Sequence, residues 1–429
     1  MKTKVILLLL AGFFCCVSCD KKTSDDDSDP IEIPNNPDDP NNPDDPDHPE
    51  QPKPERPAID NTAITIAGKK YDIDSFYFKK VNPAIDYTYL QLKNTEFPLV
   101  IHAVEWYTGN TGYNISAWIG KDSLRGREGP SALVKRKVNE QQDVVLAING
   151  GFFGMADGTP TGGQMMNGTV IRTPNPDEPI IAFDKKNKPF MDFMSLEATV
   201  SKGTSFVNIT GVNSGRWEND LILYNSYFGK RTLTNQWGRE LLLSPVNGSW
   251  ETLDDYGSVV CKVEKIATAG SMLIPRGKIV LSGNGTSNTA IQSYAVGDEV
   301  TVKLGVKMNS DQSRPGIWNM ISTHNIILKN GMAAALTDAI AVNRNPRSAV
   351  GFTNNKDFVC FMIVEGRIDR SKGVTTKELA DIFLHLKFDN AVNLDGGGSS
   401  CMVLEQKILN TLSDGSERPV TDGLMIVAD

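Results

Sequence analysis

Apolar positions fall into three regimes along this chain. Residues 5–17 are almost continuously apolar behind Lys2 and Lys4, residues 20–57 are nearly devoid of apolar groups, and from Ala58 onward apolar residues return in short runs. Most of those runs have the length and composition of strands, and Asn110-Thr111-Gly112, Asn167-Gly168, Asn284-Gly285 and Asn330-Gly331 are the turn candidates between them. The run 358–364 is apolar at all seven positions, which predicts a central strand buried on both faces. Two helices interrupt the strands. One follows Ser131 over 132–142 and precedes the strand-like 144–148. The other opens with Thr375-Thr376-Lys377-Glu378, which reads as a capping box, and Leu379, Ile382, Phe383 and Leu386 then recur at i, i+3, i+4 and i+7. That helix feeds the short run 391–394. The expected fold class is α+β, with mixed, largely antiparallel sheets and a few helices in one large domain over 58–429.

The first two regimes read as address and tether. Residues 1–18 have the charged start and short apolar stretch of a signal peptide, too short to span a bilayer. Ser18 before Cys19 resembles a bacterial lipoprotein cleavage box, although Cys16 stands where Leu is usual. Lipid on Cys19 would hold the mature chain at a membrane surface without a spanning helix. Residues 19–57 then form an acidic, Pro-rich spacer containing Asn-Asn-Pro-Asp-Asp-Pro twice in succession. Such a segment buries too little apolar surface to offset the entropy of ordering. The expected location is the cell envelope, lipid-anchored at the outer membrane; the run Asp25-Asp26-Asp27 resembles surface-export signals.

Charge narrows the choice of partners. The tether carries most of the acidic excess, so the net −8 of the chain leaves a nearly neutral body with no basic field for nucleic acid. Beyond the cysteines of the leader and Cys19, only Cys261, Cys360 and Cys401 remain. They are an odd set in apolar or glycine-rich surroundings, expected as buried free thiols.

Three corners carry candidate chemistry. Asn149-Gly150-Gly151-Phe152-Phe153 closes a strand with an amide, two glycines and two rings. It reads either as a tight turn or as a sugar or phosphate contact. Arg347 opens the stretch leading to the 358–364 strand, which ends at Glu365-Gly366-Arg367. Arg347 can fork two hydrogen bonds onto phosphate, and Glu365 can act as acid or base. Each reads equally as a structural salt bridge. Asn393-Leu394-Asp395-Gly396-Gly397-Gly398-Ser399-Ser400 is the most informative stretch, a carboxylate followed by a glycine nest able to turn N–H donors onto an anion. Because the 358–364 and 391–394 runs are joined by a helix, they would be parallel if they share a sheet. Glu365 and Asp395 would then lie at one edge.

Taken in order, these motifs resemble the phosphodiester glycosidase family, from the 149–153 segment through 347–351, 365–367 and 376–380 to 393–400 and the closing Arg418-Pro419-Val420. The resemblance covers 58–429, most loosely over 195–310. It implies removal of a sugar held through its anomeric carbon in a phosphodiester, with α-linked N-acetylglucosamine the expected sugar. The expected partner is a sugar-phosphate glycan or glycolipid. Asp395 and Glu365 would be nucleophile or base and its partner, in either order. Gly396, Gly397, Gly398, Ser399 and Arg347 would stabilise the departing phosphate, and Asn149 would position the sugar. Gly150, Gly151, Ser400 and Arg418 complete the expected binding set.

Other chemistries fit less well. There is no G-x-S-x-G elbow and no H-E-x-x-H, and His102, His324 and His385 are dispersed. No cofactor is required by the sequence, while a divalent cation beside Asp395 is compatible with it. The alternative function is a glycan-binding surface lipoprotein without catalysis, with Tyr224, Tyr227 and Trp237 as aromatic platforms.

Overall fold

The computed structural model describes residues 53–94, 96–250, 257–313 and 316–429. The expected signal peptide, Cys19 and most of the tether lie outside them. Strands hold 46% of the described residues and helices 11%. The expected α+β class is therefore corrected to a β-rich architecture of several antiparallel sheets, because the apolar runs pair with one another far more than they pack on helices.

The sheet that carries the candidate site has nine strands. At its centre Leu99–Tyr107, Phe358–Val364, Arg347–Phe352 and Asn390–Asn393 lie side by side in that order, each antiparallel to its neighbour. Phe358–Val364 is buried at every position. Both it and Asn390–Asn393 oppose Arg347–Phe352, so these two strands are parallel and two strand spacings apart, about 10 Å. Their C-terminal ends share one edge, as the helical connection implied.

Helix Thr376–His385 makes that connection and covers one face. Its first turn is closed by a capping box, with Thr375 Oγ1 accepting from the Glu378 N–H and the Glu378 carboxylate accepting from the Thr375 N–H. Leu379, Ile382 and Phe383 are fully buried against Ala349, Met362, Val364 and Ala391, each contributing roughly 1.5–3 kcal/mol. The helix approaches so closely at Gly351 that a Cβ there would lie 2.5 Å from the Phe383 ring.

The opposite face packs on a five-stranded sheet that includes Tyr113–Ile119, Asp143–Asn149, Met402–Leu404 and Asp422–Ala428. Val350, Phe361, Ile363 and Val392 meet Leu146, Ile148, Met402, Leu424 and Ile426 between the two sheets. Helix Pro130–Asn139, close to the expected 132–142, covers the far side with Leu133 and Val134. A third, twelve-stranded sheet drawn from 164–322 has its own core. Asn167-Gly168 and Asn330-Gly331 turn tight hairpins with positive φ at both residues. Asn284 instead caps the short helix Gly285–Ala290. The three cysteines of the body are free and buried.

The last residues of the expected spacer do not behave as a spacer. Lys53 lies 2.6 Å from Asp86. Arg56 donates to Glu105 at 2.9 Å and to the carbonyls of Leu386 and Lys387, at the C-terminal end of the helix above. Its guanidinium also sits over the Phe388 and Phe358 rings, 4.3 and 5.1 Å from their centroids. Residues from Lys53 onward therefore pack on the body ahead of the expected start at Ala58, because a cation at position 56 satisfies carbonyls that the helix leaves open. A chain beginning at Ala58 is expected to melt below one beginning at Lys53, and Arg56→Ala to lose about 1–2 kcal/mol. Urea and thermal melts check this, and coincident curves would show that the contact is idle.

Candidate functional site

The edge shared by the two parallel strands meets the loops of the five-stranded sheet, and one buried amide holds them together. Asn149 is fully buried. Its Nδ2 donates to the Asp395 carbonyl at 2.7 Å, while its Oδ1 accepts from Ser348 Oγ at 2.7 Å and from the Cys401 N–H at 3.2 Å. The Asp395 N–H returns a bond to the Gly150 carbonyl at 2.9 Å. The side chain expected to position a sugar is thus engaged by protein groups and aligns the backbone that presents Asp395. Ser400 is likewise buried, 3.1 Å from Ser348 Oγ.

The glycine nest is real in shape but largely occupied. The Gly396 N–H donates to Asp395 Oδ1 at 2.8 Å and the Gly397 N–H to the Pro346 carbonyl at 2.9 Å. At most the Gly398 N–H is left for a ligand. The glycines are needed for close approach: Gly397 has φ +61° beside the Arg367 guanidinium, and a Cβ on Gly398 would collide with Asp414 and Arg418. Arg418 pairs with Asp414 and lies 3.4 Å from Ser399 Oγ. Ser399 in turn hydrogen-bonds the Asp395 carboxylate. Asp395, Ser399, Arg418 and the glycines are thus brought together, and Arg367 joins them.

Two expected members point elsewhere. Arg347 is only 2% exposed and turns to the helical face, where Nε donates to Val374 O at 3.0 Å and Nη2 to Ile340 O and Asn343 O at 2.5 and 2.7 Å. It organises loops and is not aimed at a phosphate in the nest. Burial lowers its basicity to about 10. Glu365 does reach the expected edge, yet its buried carboxylate is already saturated. Arg370 donates to both oxygens at 2.9 and 2.8 Å, the Thr411 N–H donates at 2.7 Å, and His102 Nε2 lies 3.0 Å away. Tyr87 Oη sits 2.9 Å from the other ring nitrogen of His102. Burial pushes the Glu365 carboxyl up, but these donors and the Arg370 charge outweigh it and hold the group below its usual range. Glu365 fixes the Thr411 loop.

The carboxylate that does stand beside Asp395 is Asp422. It is 1% exposed, follows the Arg418-Pro419-Val420 motif and opens the strand Asp422–Ala428. Its Oδ1 accepts from the Gly151 N–H at 2.9 Å, and Gly150 packs against the same oxygen. Its Oδ2 has no partner. Burial raises its pKa to about 7, partly offset by the Gly151 N–H and reinforced by the charge of Asp395. Asp395 is raised too, by burial, against the pull of Ser399, the Gly396 N–H, Arg418 and His324. Gly151 sits between Asp422 and Ser322, with a Cβ there 2.5 Å from the Ser322 carbonyl. The Ser322 hydroxyl is buried without a partner.

His324 faces this group, with its ring 4.8 Å from Phe152 and 3.4 Å from Asp338. Phe153 returns to the core. Asp422 was legible only as an acid opening an apolar strand, and His324 left no local signal. Among the described residues no group of three or more His, Cys, Asp or Glu could hold a metal ion. Of the aromatic residues expected for glycan binding, Tyr224 is buried, Tyr227 is half-buried and Trp237 is exposed.

Residues 246–427, which hold Asp395, the glycine loop, Arg418 and Asp422, match the family model described as phosphodiester glycosidase. Over those residues, which make up less than half of the chain, it is similar to that family. Over 83 residues the chain is 42% identical to the SPbeta prophage-derived uncharacterized protein YomE of Bacillus subtilis (strain 168), covering 19% of this chain and 13% of that protein. A hypothetical protein from Synechocystis has a similar fold, with a TM-score of 0.65 at 16% identity over 83% of this chain and 64% of that one. The zebrafish N-acetylglucosamine-1-phosphodiester alpha-N-acetylglucosaminidase catalytic domain aligns with a TM-score of 0.44 and 12% identity over 83% of this chain and 88% of that one.

Because the folded pKa of Asp422 lies near 7, above the ordinary carboxylate value of 3.8, its contribution to stability is complete below pH 4 and is lost as pH rises to about 7. Over that window the unfolded chain binds fewer protons than the folded one. Wild type is expected to lose a few kcal/mol of stability across it, and Asp422→Asn to lose much less. Urea titrations at pH 4.5 and 7.5 give the comparison, and equal slopes for both proteins would count against a protonated Asp422.

Proposed function

We propose that this protein hydrolyses a sugar-1-phosphodiester, releasing free sugar and a phosphomonoester. The observation that carries this reading is the pairing of Asp395 and Asp422 around Gly150, beside the Arg367 and Arg418 guanidiniums that border Gly397 and Gly398. Cleavage at an anomeric carbon needs a carboxylate at the sugar and positive charge at the leaving oxygens. Asp395, half-buried in the loop, meets the sugar as nucleophile or base. Arg418 and Arg367 meet the phosphate, the part first assigned to Arg347. Asp422 is buried and does not meet the sugar; it holds the Gly150–Gly151 turn on which the Asp395 backbone rests. The C1–O bond breaks, the electron pair leaves on phosphate, and water supplies the oxygen at C1 and the proton to be carried away. N-acetylglucosamine in α linkage is the sugar to test first. Lipid on Cys19 would place this chemistry at the envelope, acting on a glycan or glycolipid.

An α-N-acetylglucosaminyl phosphodiester of the nucleotide-sugar type is expected to yield reducing sugar, and an aryl glycoside without phosphate to be a much poorer substrate. Asp395→Asn should keep its melting temperature and lose activity by several orders of magnitude. Arg418→Ala should raise KM for the phosphodiester while leaving binding of neutral sugar unchanged. A folded Asp395→Asn protein with near-normal turnover would remove that residue from the chemistry. For the anchor, a fatty-acid label is expected on wild type and not on Cys19→Ala, and equal labelling would sink it.

A further inference from the structure

The chain also exposes two tryptophans that the hydrolytic site does not use. Trp217 is 77% and Trp237 68% exposed, and both precede the 246–427 segment that matches the family. Their loops are fastened together. Arg216 Nη2 donates to Asn235 Oδ1 at 2.6 Å and to Asn235 O at 3.0 Å, and the Trp237 N–H donates to the same Oδ1 at 3.1 Å. Arg216 Nη1 is held by Ser282 Oγ at 2.9 Å, and Gly238 leaves room for the guanidinium. The Trp217 N–H donates to Asp220 Oδ2 at 2.9 Å. Exposed indoles on loops pinned in this way are preorganised, so ordering them on binding costs little.

We infer that Trp217 and Trp237 form a carbohydrate-binding platform separate from the Asp395 site, taking a neutral or N-acetylated oligosaccharide. Sugar rings present apolar C–H faces, which stack on flat indoles, and hydroxyl edges, which the indole N–H and the polar groups of these loops can meet. The charge pattern disfavours an anionic lipid surface: Arg216 is spent on Ser282 and Asn235, and Glu218 and Asp220 lie beside it. The platform needs no catalysis, so its fate is independent of the hydrolytic reading.

The test uses the soluble body from Lys53 on a panel of neutral and N-acetylated oligosaccharides, followed by titration of hits with tryptophan fluorescence as readout. A hit whose affinity falls at least tenfold in both Trp217→Ala and Trp237→Ala, with unchanged melting and with binding intact in Asp395→Asn, supports the platform. Absence of any hit, or hits indifferent to both substitutions, overturns it. Binding to phosphatidylglycerol vesicles that disappears in both variants, without sugar binding, would overturn it in favour of a lipid contact.

Discussion

Everything at the candidate site depends on one buried amide. Asn149 ends a strand of the five-stranded sheet, and its side chain bonds to groups of the Arg347–Phe352 strand and of the loop beyond Asn390–Asn393 as well as to the Gly150 carbonyl. It thereby fixes where two sheets meet, and with them the backbone of Asp395. A hydrogen-bonding side chain with no water to exchange for is costly to leave unmade, so the arrangement is well determined. Because the Gly150 carbonyl also accepts from the Asp395 N–H, Asp395 cannot move without breaking both bonds.

Much of this was legible in the sequence, and for identifiable reasons. The apolar run at Phe358–Val364, the capping box at Thr375 and Glu378, and the stripe Leu379, Ile382, Phe383, Leu386 are local signals, and local signals gave the right strand, the right helix and the shared edge. The nest also appeared where three glycines stand. Roles were less legible because a side chain's direction depends on its parity along the strand. Arg347 shares a face with Ala349 and Gly351, which face the helix, whereas Ser348 faces the site. One position earlier or later, the guanidinium would have pointed at the nest. That task falls to Arg367, which follows Glu365-Gly366 and adopts φ +63°, and to Arg418, which reaches in from the closing motif.

The packing of the last tether residues is hidden in the sequence for a related reason. Pro-rich, charged composition says that a segment cannot build its own core, but it does not say that the segment cannot borrow one. Arg56 finds two helix carbonyls, one carboxylate and two aromatic faces, and this converts the last residues before Ala58 from spacer into part of the body. Counting apolar residues gives no weight to such a cation, although its stem and planar head are well suited to it.

Two buried carboxylates, treated oppositely, explain why the chemistry is assigned to Asp395 beside Asp422 and not to Glu365. Glu365 receives donors from Arg370, Thr411 and His102, so its negative charge is the stable form and its proton is not available. Such a group has little left to offer a reacting sugar; it holds geometry. Asp422 receives one N–H, leaves one oxygen unpartnered and faces the charge of Asp395, and burial pushes both acids toward the protonated form. Neither can ionise without influencing the other. The donors on Glu365 make it a structural acid, while Asp422, with one donor, lies beside Asp395 and the loop that brings glycine backbone and the Arg367 and Arg418 guanidiniums to the same edge.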